Sequence, residues 1–302
     1  MPTKRILAVG SVALDSVETP FGKVQDTLGG SATYFSASAR FFSPVSVVAV
    51  VGKDFPEAHL KLLKKLGIDV RGIQKEEGRT FRWKGVYNFD LNNPKTLKTE
   101  LNVFQTFKPK LTEEARRSPF VFLANIDPEI QESVLTQVRE PLLTACDTMN
   151  FWIQNKRSGL LRLLRKVDII LCNDSEAREL SGEYNLVKAS QWILSHGPRL
   201  VVIKKGEHGV ICFSKDFMFL TPAYLLESVF DPTGAGDSFA GGFIGYLTRS
   251  PRLGESYVRK AVAYGSILAS YNVESFSLKR LASLEWAEIQ NRYKLFRTMT
   301  RF

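Results

Sequence analysis

Val45-Ser46-Val47-Val48-Ala49-Val50-Val51 is a nearly unbroken β-branched run without polar alternation, and residues 55–66 follow it as a helical stretch that Gly67 stops. A strand apolar on both faces must be covered on both faces, and the helix behind it supplies one of the covers. Towards the N-terminus, Ile6-Leu7-Ala8-Val9 is a second short apolar strand. Residues 31–42, rich in Ala, Ser and aromatics, suit a helix packed closely on a sheet. Alternation of this kind predicts parallel strands joined by crossover helices.

The alternation is interrupted and then resumes. Over residues 76–107, Thr80, Phe81, Trp83, Val86, Tyr87 and Phe89 sit among polar residues at hairpin-like spacing. Leu91-Asn92-Asn93-Pro94 is a turn signal there, and 101–107 reads as another strand. This is a small β excursion, and an ordinary edge extension of the main sheet explains it as well as a lid does. Strands are then expected over 120–123, 142–150, 167–172, 200–203, 209–213 and 217–220. Helices are expected over 128–138, 158–164, 175–180, 234–247, 257–269 and 284–296. No repeat and no low-complexity tract is present. The fold class is α/β, a doubly wound, mostly parallel sheet flanked by helices, with a small inserted β-sheet.

Composition narrows the function. The chain has 302 residues, 44% hydrophobic and 24% charged, which is enough apolar mass for a sizeable core. No apolar run approaches the roughly 18 residues of a membrane span, and residues 1–10 read as a charge and a short buried strand, not a signal peptide. Cys146, Cys172 and Cys212 show no paired spacing, and His59, His196 and His208 are scattered, so neither disulfides nor structural zinc is expected. A reduced, cytoplasmic protein fits. The net charge of +10 favours anions in general. Its densest basic stretches, 61–65 and 292–301, are short and suit the polar faces of helices, so a phosphate-bearing small ligand is expected and nucleic acid is not.

The chemistry concentrates in Asp231-Pro232-Thr233-Gly234-Ala235-Gly236-Asp237-Ser238-Phe239-Ala240-Gly241-Gly242. Two glycines around one alanine, just ahead of a helix, leave backbone N–H groups unobstructed at its positive end, which makes an anion cradle. Asp237 sits where that helix begins. A carboxylate against a phosphate is electrostatically costly unless it has a task, and accepting the proton of an attacking hydroxyl is one. An Asp N-cap after a Gly-rich turn accounts for the same residues equally well. Close helix–sheet packing explains Gly241, Gly242 and Gly245.

This segment resembles the C-terminal motif of the ribokinase-like (PfkB) carbohydrate kinases. Gly10-Ser11 with Asp15 resembles the start of that family's substrate site, and Gly29-Gly30-Ser31-Ala32 its double-glycine sugar loop. Asn173-Asp174-Ser175-Glu176 resembles its N-x-x-E motif, and Lys204-Lys205-Gly206-Glu207-His208-Gly209 its strand-turn at the nucleotide. The resemblance spans nearly the whole chain and implies one domain, 1–302, with a lid from roughly 12–28 and 76–107.

The resemblance implies ATP-dependent phosphorylation of an alcohol, a CH₂OH of a sugar or sugar-like molecule, with nucleoside or inositol as the alternative acceptors. Asp237 would be the base, and Gly234, Ala235 and Gly236 the anion hole. Asn173 and Glu176 would organise Mg²⁺ through water and phosphate, and Lys204, Gly206, Gly209 and Thr233 would meet the nucleotide. Asp231 and Thr233 match positions that in many relatives help bind K⁺, the other ligands being carbonyls near 268–277. Gly10, Ser11, Asp15, Gly29, Gly30, Ser31 and Tyr34 would surround the acceptor, Asp15 taking two hydroxyls. Three positions depart from the family. Tyr34 stands where many sugar kinases have an asparagine, Lys204 where a threonine is frequent, and 271–277 lacks an expected glycine.

In the lid, Arg79 is a candidate clamp beside Arg82 and Trp83, although a solvated strand charge reads as well. Asn125 and Asn150 are further candidates, because ligands bind at strand C-termini in open α/β sheets. The lid aromatics suit either pairing with a second copy or folding over the chain's own site. No Walker loop, nucleophile elbow or strand-linked G-x-G-x-x-G appears, which removes the main support for P-loop, hydrolase and dinucleotide readings. The rival from another class is a non-catalytic nucleotide- or metabolite-binding protein, which has no reason to retain both base and cradle.

Overall fold

The structure, a computed structural model, describes residues 4–92, 94–250 and 253–301. Met1 to Thr3 of the N-terminal reading and Asn93 of the turn signal lie outside the described residues. Thirteen strands are found among the described residues: β1 Ile6–Val9, β2 Ala13–Thr19, β3 Gly22–Gly29, β4 Val45–Gly52, β5 Asp69–Glu76, β6 Arg82–Val86, β7 Lys95–Glu100, β8 Phe120–Leu123, β9 Leu143–Asp147, β10 Ile169–Asn173, β11 Leu200–Lys204, β12 Val210–Ser214 and β13 Met218–Thr221. Nine of them form one sheet in the order β13-β12-β11-β10-β9-β8-β1-β4-β5, parallel from β5 to β11 and antiparallel over β12 and β13.

The apolar runs behave as their two-sided hydrophobicity requires. Ile6 and Ala8 of β1 enter the core on one face, and Leu7 and Val9 enter the core on the other. The first face is covered by helices Ser31–Ala39, Ala235–Leu247 and Glu255–Asn272, which contribute Phe35, Phe243 and Val262. The second is covered by Pro128–Leu135, Arg157–Leu164, Asp174–Ser181 and Leu186–Ser195, through Val134, Leu163, Ala177 and Ile193. Each of the larger side chains among them, Val, Leu, Ile or Phe, contributes about 1.5–3 kcal/mol when fully removed from water.

A separate four-stranded sheet, β3-β2-β6-β7, contains the excursion. Arg82 fastens it. The guanidinium pairs with Asp26 at the β2–β3 hairpin and, at 2.7 Å, with Asp54 beyond β4. Asp54 is itself fixed by the amide and hydroxyl of Thr80, each at 2.7 Å.

Several expectations are corrected. Residues 101–107 do not form a strand: Asn102–Thr106 is a 3₁₀ turn, because Val103, Phe104 and Phe107 all have to reach one apolar cluster under the sheet. Glu76 closes β5 of the main sheet and does not open the small one, whose strands span 13–29 and 82–100. Asn150 does not end a strand but begins helix Asn150–Asn155. Gly241 and Gly242 serve helix–helix packing, since a Cβ at either would strike Phe35 O or Tyr264 O on the neighbouring helices.

Cys146, Cys172 and Cys212 are buried free thiols. Among the described residues no helix is long and apolar enough to cross a membrane.

Candidate active site

The strand order reverses at β1: β4 and β5 lie on one side of it, β8 to β11 on the other. Loops at the carboxyl ends of β1 and β8 therefore diverge and open a crevice, the ligand position of open α/β sheets. Asp147, Asn173 and Lys204 are the last residues of β9, β10 and β11, and Asn173 lies opposite Lys204 in the ladder. Sheet register thus lines these side chains along one edge.

The acceptor-side residues of the sequence come together at β1. Ser11 Oγ lies 3.1 Å from Ser31 Oγ, and Ser31 N donates to Ser11 Oγ at 2.9 Å. Gly30 has φ 97°, and a Cβ there would come 2.5 Å from Ser11 O, so only glycine brings the two loops this close. A Cβ on Gly29 would run into the Asp15 carboxylate, and one on Gly10 would lie 2.6 Å from Ala124 Cβ. Asp15 is buried, and burial pushes its pKa up to about 7, with the charges of Asp231 and Asp237 adding to it and the Gly30 amide partly offsetting it. The Tyr34 ring fills the space over Gly234, so the acceptor loop and the glycine turn are in contact.

Gly234, at φ 76°, turns the chain into helix Ala235–Leu247. The Ala235 N–H bonds back to Pro232 O at 3.1 Å, and the Ser238 N–H to Gly234 O at 2.8 Å. The amides of Gly236 and Asp237, between them, have no backbone acceptor. The cradle departs from the expected Gly234, Ala235 and Gly236 at one position: the Ala235 amide is spent on the turn itself. Asp237, partly buried beside these amides, has its pKa pushed up to about 7 by loss of water, with Asp147 adding to the shift and Lys204 opposing it.

A cleft of about 400 Å³ runs from Lys204, Gly206, Gly209 and Gly236 to an apolar end made by Val210, Val229, Phe239 and Val273. One end suits phosphates and the other a flat base. Asn173 and Glu176 cap helix Asp174–Ser181 reciprocally: Asn173 Oδ1 accepts from Glu176 N, and Glu176 Oε2 from Asn173 N, both at 2.7 Å. The structural reading of the N-x-x-E motif is thus realised, and it leaves a buried carboxylate near Lys204 of the cleft. Burial pushes Glu176 up to about 8, with Lys204 opposing. Among the described residues no three His, Cys, Asp or Glu side chains converge on a metal position. Glu176 therefore suits an ion held mainly by water and phosphate oxygens.

Asp231 accepts from Thr233 N at 2.9 Å and Ser277 N at 3.4 Å, and burial raises its pKa. Asn272 Nδ2 donates to Thr233 O at 2.8 Å, while Asn272 Oδ1 is buried without a donor. This orphaned oxygen beside Asp231 and Thr233 suits a monovalent cation. Within 271–277, the stretch that lacks the expected glycine, Ser277 takes φ 57°. Val273 lines the cleft, but Tyr271 turns away to bond Glu288 O.

Other candidates are placed elsewhere. Arg79 has a side chain 62% exposed and lies 4.0 Å from Glu100. Trp83 Nε1 donates to Thr96 Oγ1 within the small sheet. Asn125 is at the crevice wall, accepting from Trp152 Nε1 at 2.9 Å, whereas Asn150 bonds to Glu179. Asp147 went unrecognised in the sequence. It is 5% exposed and holds Lys204 Nζ at 2.7 Å. The strand-end rule missed it because the strand expected over 142–150 ends at Asp147 instead.

A family model described as pfkB family carbohydrate kinase matches residues 4–282. A cytidine kinase of Thermococcus kodakarensis is 30% identical over 258 residues, covering 83% of this chain and 91% of the relative. An inositol 3-kinase of Arabidopsis thaliana is 25% identical over an alignment of 318 positions, covering 97% and 82%. Among solved structures, a nucleoside kinase of Methanocaldococcus jannaschii superposes with a TM-score of 0.78 at 21% identity, covering 97% of this chain and 99% of that one, and so shares the fold.

Proposed function

The chain belongs to the pfkB family of carbohydrate kinases, and on that footing we propose that it transfers the γ-phosphoryl group of ATP to a CH₂OH hydroxyl of a ribose-bearing acceptor, a nucleoside first among them. The observation that carries this reading is Asp237, a carboxylate with its pKa pushed up to about 7 beside two unengaged amides at the phosphate end of the cleft. The carboxylate takes the acceptor's proton as the acceptor oxygen bonds to the γ-phosphorus. The bond from that phosphorus to the β–γ bridging oxygen breaks, and ADP leaves with the electron pair. Gly236 and Asp237 N–H groups hold the equatorial oxygens, so the protein supplies placement and charge and needs no covalent intermediate.

Asp15 receives ring hydroxyls, and Tyr34 bounds the acceptor from the cradle side. Mg²⁺, directed by Glu176, would add charge neutralisation, and K⁺ beside Asp231, Thr233 and Asn272 would steady the turn. A nucleoside is favoured by the identity to the cytidine kinase. An inositol is the second reading, since that relative aligns over 97% of the chain.

An ADP-release assay over nucleosides, pentoses, hexoses, sugar phosphates and inositols identifies the acceptor. Asp237→Asn is expected to lower turnover by about 10³-fold or more while ATP affinity stays within about tenfold. Near-normal turnover in that variant sinks the assignment of the base.

A further inference from the structure

Arg292 opens the basic stretch 292–301, whose composition suits a solvated helix face, yet its side chain is only 15% exposed. It lies on helix Trp286–Met299, beyond residue 282 where the family match ends. The guanidinium stacks on two rings, its central carbon 3.5 Å from the Tyr271 centroid and 4.8 Å from the Tyr224 centroid. Both terminal nitrogens are also engaged. Nη1 donates to Ser270 Oγ at 2.9 Å, and Nη2 to Glu274 Oε1 at 2.6 Å. A planar fork can make both stacks and both bonds at once, and the point charge of a lysine cannot.

The groups that Arg292 gathers belong to the apolar end of the cleft. Tyr224 and Ser270 both line it. Ser270 is held in helix Glu255–Asn272. Tyr224 lies in residues 222–229, which form neither helix nor strand. Among the described residues, none of 223–229 makes a backbone–backbone hydrogen bond. Such a segment has little local stability of its own and is placed by its side chains. Tyr224 is the side chain that is gripped, because Phe296, four residues after Arg292 on the same helix, also packs on it, with 6.0 Å between ring centroids. The same segment carries Leu225, Leu226 and Val229 into the cleft wall. Arg292 therefore ties a wall without backbone bonds to a helical one.

We propose that Arg292 is a positioning residue for the nucleotide: by joining Tyr224 to Ser270 it holds residues 222–229 as the wall against which the base packs. The C-terminal helix is then a part of the cleft, although none of its residues lines it. This rests on the nucleotide reading of the cleft, and adds to it an element outside the family match. A wall ordered in advance spares the ordering cost that binding would otherwise carry.

The test is calorimetric titration of the full chain with ADP in the presence of Mg²⁺, beside steady-state kinetics in ATP. Arg292→Met keeps a good helix former and leaves Glu274 paired with Arg280 at 3.2 Å, so no carboxylate is stranded. It is expected to weaken ADP binding and raise the KM for ATP about 5- to 20-fold, with kcat at saturating ATP within about twofold, because the phosphate end is untouched. Arg292→Lys keeps the charge without the fork; a loss of about three- to fivefold is expected, and this variant carries the test if the methionine variant does not fold. Tyr224→Leu is measured alone and together with the Arg292 variant. Overlapping losses, the pair within about threefold of the worse single variant, are expected of a residue acting through Tyr224. ADP affinity within about twofold of the unmodified protein in every folded Arg292 variant overturns the proposal. So does a fall in kcat as large as the fall in affinity, or a pair of losses that multiply. An unmodified protein that binds no ADP overturns the nucleotide reading of the cleft instead, so the two failures are distinguishable.

Discussion

Asp237 owes its behaviour to being partly deprived of water next to Asp147, and this makes its role measurable through pH. As the proposed base, with a pKa near 7 and active only when ionised, it is expected to make log(kcat/KM) rise with pH below about 7 and level off above. Asp15, also raised to about 7, steepens that limb if the acceptor requires its carboxylate form. A profile flat down to pH 5 would remove the carboxylate base. Gly234 makes a second residue-level case. Its φ of 76° and the Tyr34 ring over it exclude any side chain. Gly234→Ala is expected to cost about 2 kcal/mol or more, read as a lower urea midpoint at unchanged slope. The glycine was legible in the sequence. The ring that makes it obligatory is 200 positions away, and only packing brings it there.

At the scale of elements, hydrogen bonds and an ion pair tie the small sheet to the main body, among them Thr19 Oγ1 to Phe230 O, Ser277 Oγ to Leu28 O and Arg82 to Asp54. Arg82, 16% exposed on its side chain, joins the β2–β3 hairpin to Asp54 of the main body. Arg82→Ala is expected to raise the acceptor KM about three- to tenfold with a smaller change in nucleotide affinity, because β6 pairs directly beside Asp15 of β2, whereas only the loop that follows β6, residues 89–92, lines the nucleotide cleft. A parallel rise in the nucleotide constant would show that the strut supports the whole site. Elements also show where sequence reading loses resolution. Helix Leu186–Ser195 and strand β5 were not anticipated: β5 is an edge strand whose residues are all half-buried or exposed, and the helix buries only Ala189, Ser190 and Ile193. The strand misread at 101–107 has the apolar content of a strand. What decides its conformation is that three of its side chains point into one cluster.

At the scale of the molecule, the site lowers stability at neutral pH. Asp15 and Asp237 ionise near 7 when folded and at the ordinary carboxylate value, 3.8, when unfolded. Between those values the folded state binds more protons, so this contribution is fully present below about pH 4 and is lost as pH rises through about 7. Asp237→Asn is therefore expected to raise the melting temperature by about 2–4 °C at pH 8 and to leave it unchanged at pH 4, by scanning calorimetry. An equal gain at both pH values would show that the effect is not ionisation. The sequence by itself determined the α/β class, the glycine turn before Asp237 and the order of the motifs, because periodicity and turn chemistry are local properties of a chain. Only the tertiary structure decided which amides are free, that Asn173 and Glu176 cap one another and that Asp147 anchors Lys204. Those outcomes depend on strand register and on burial, which bring into contact groups separated by dozens of residues and change what water would otherwise do to them.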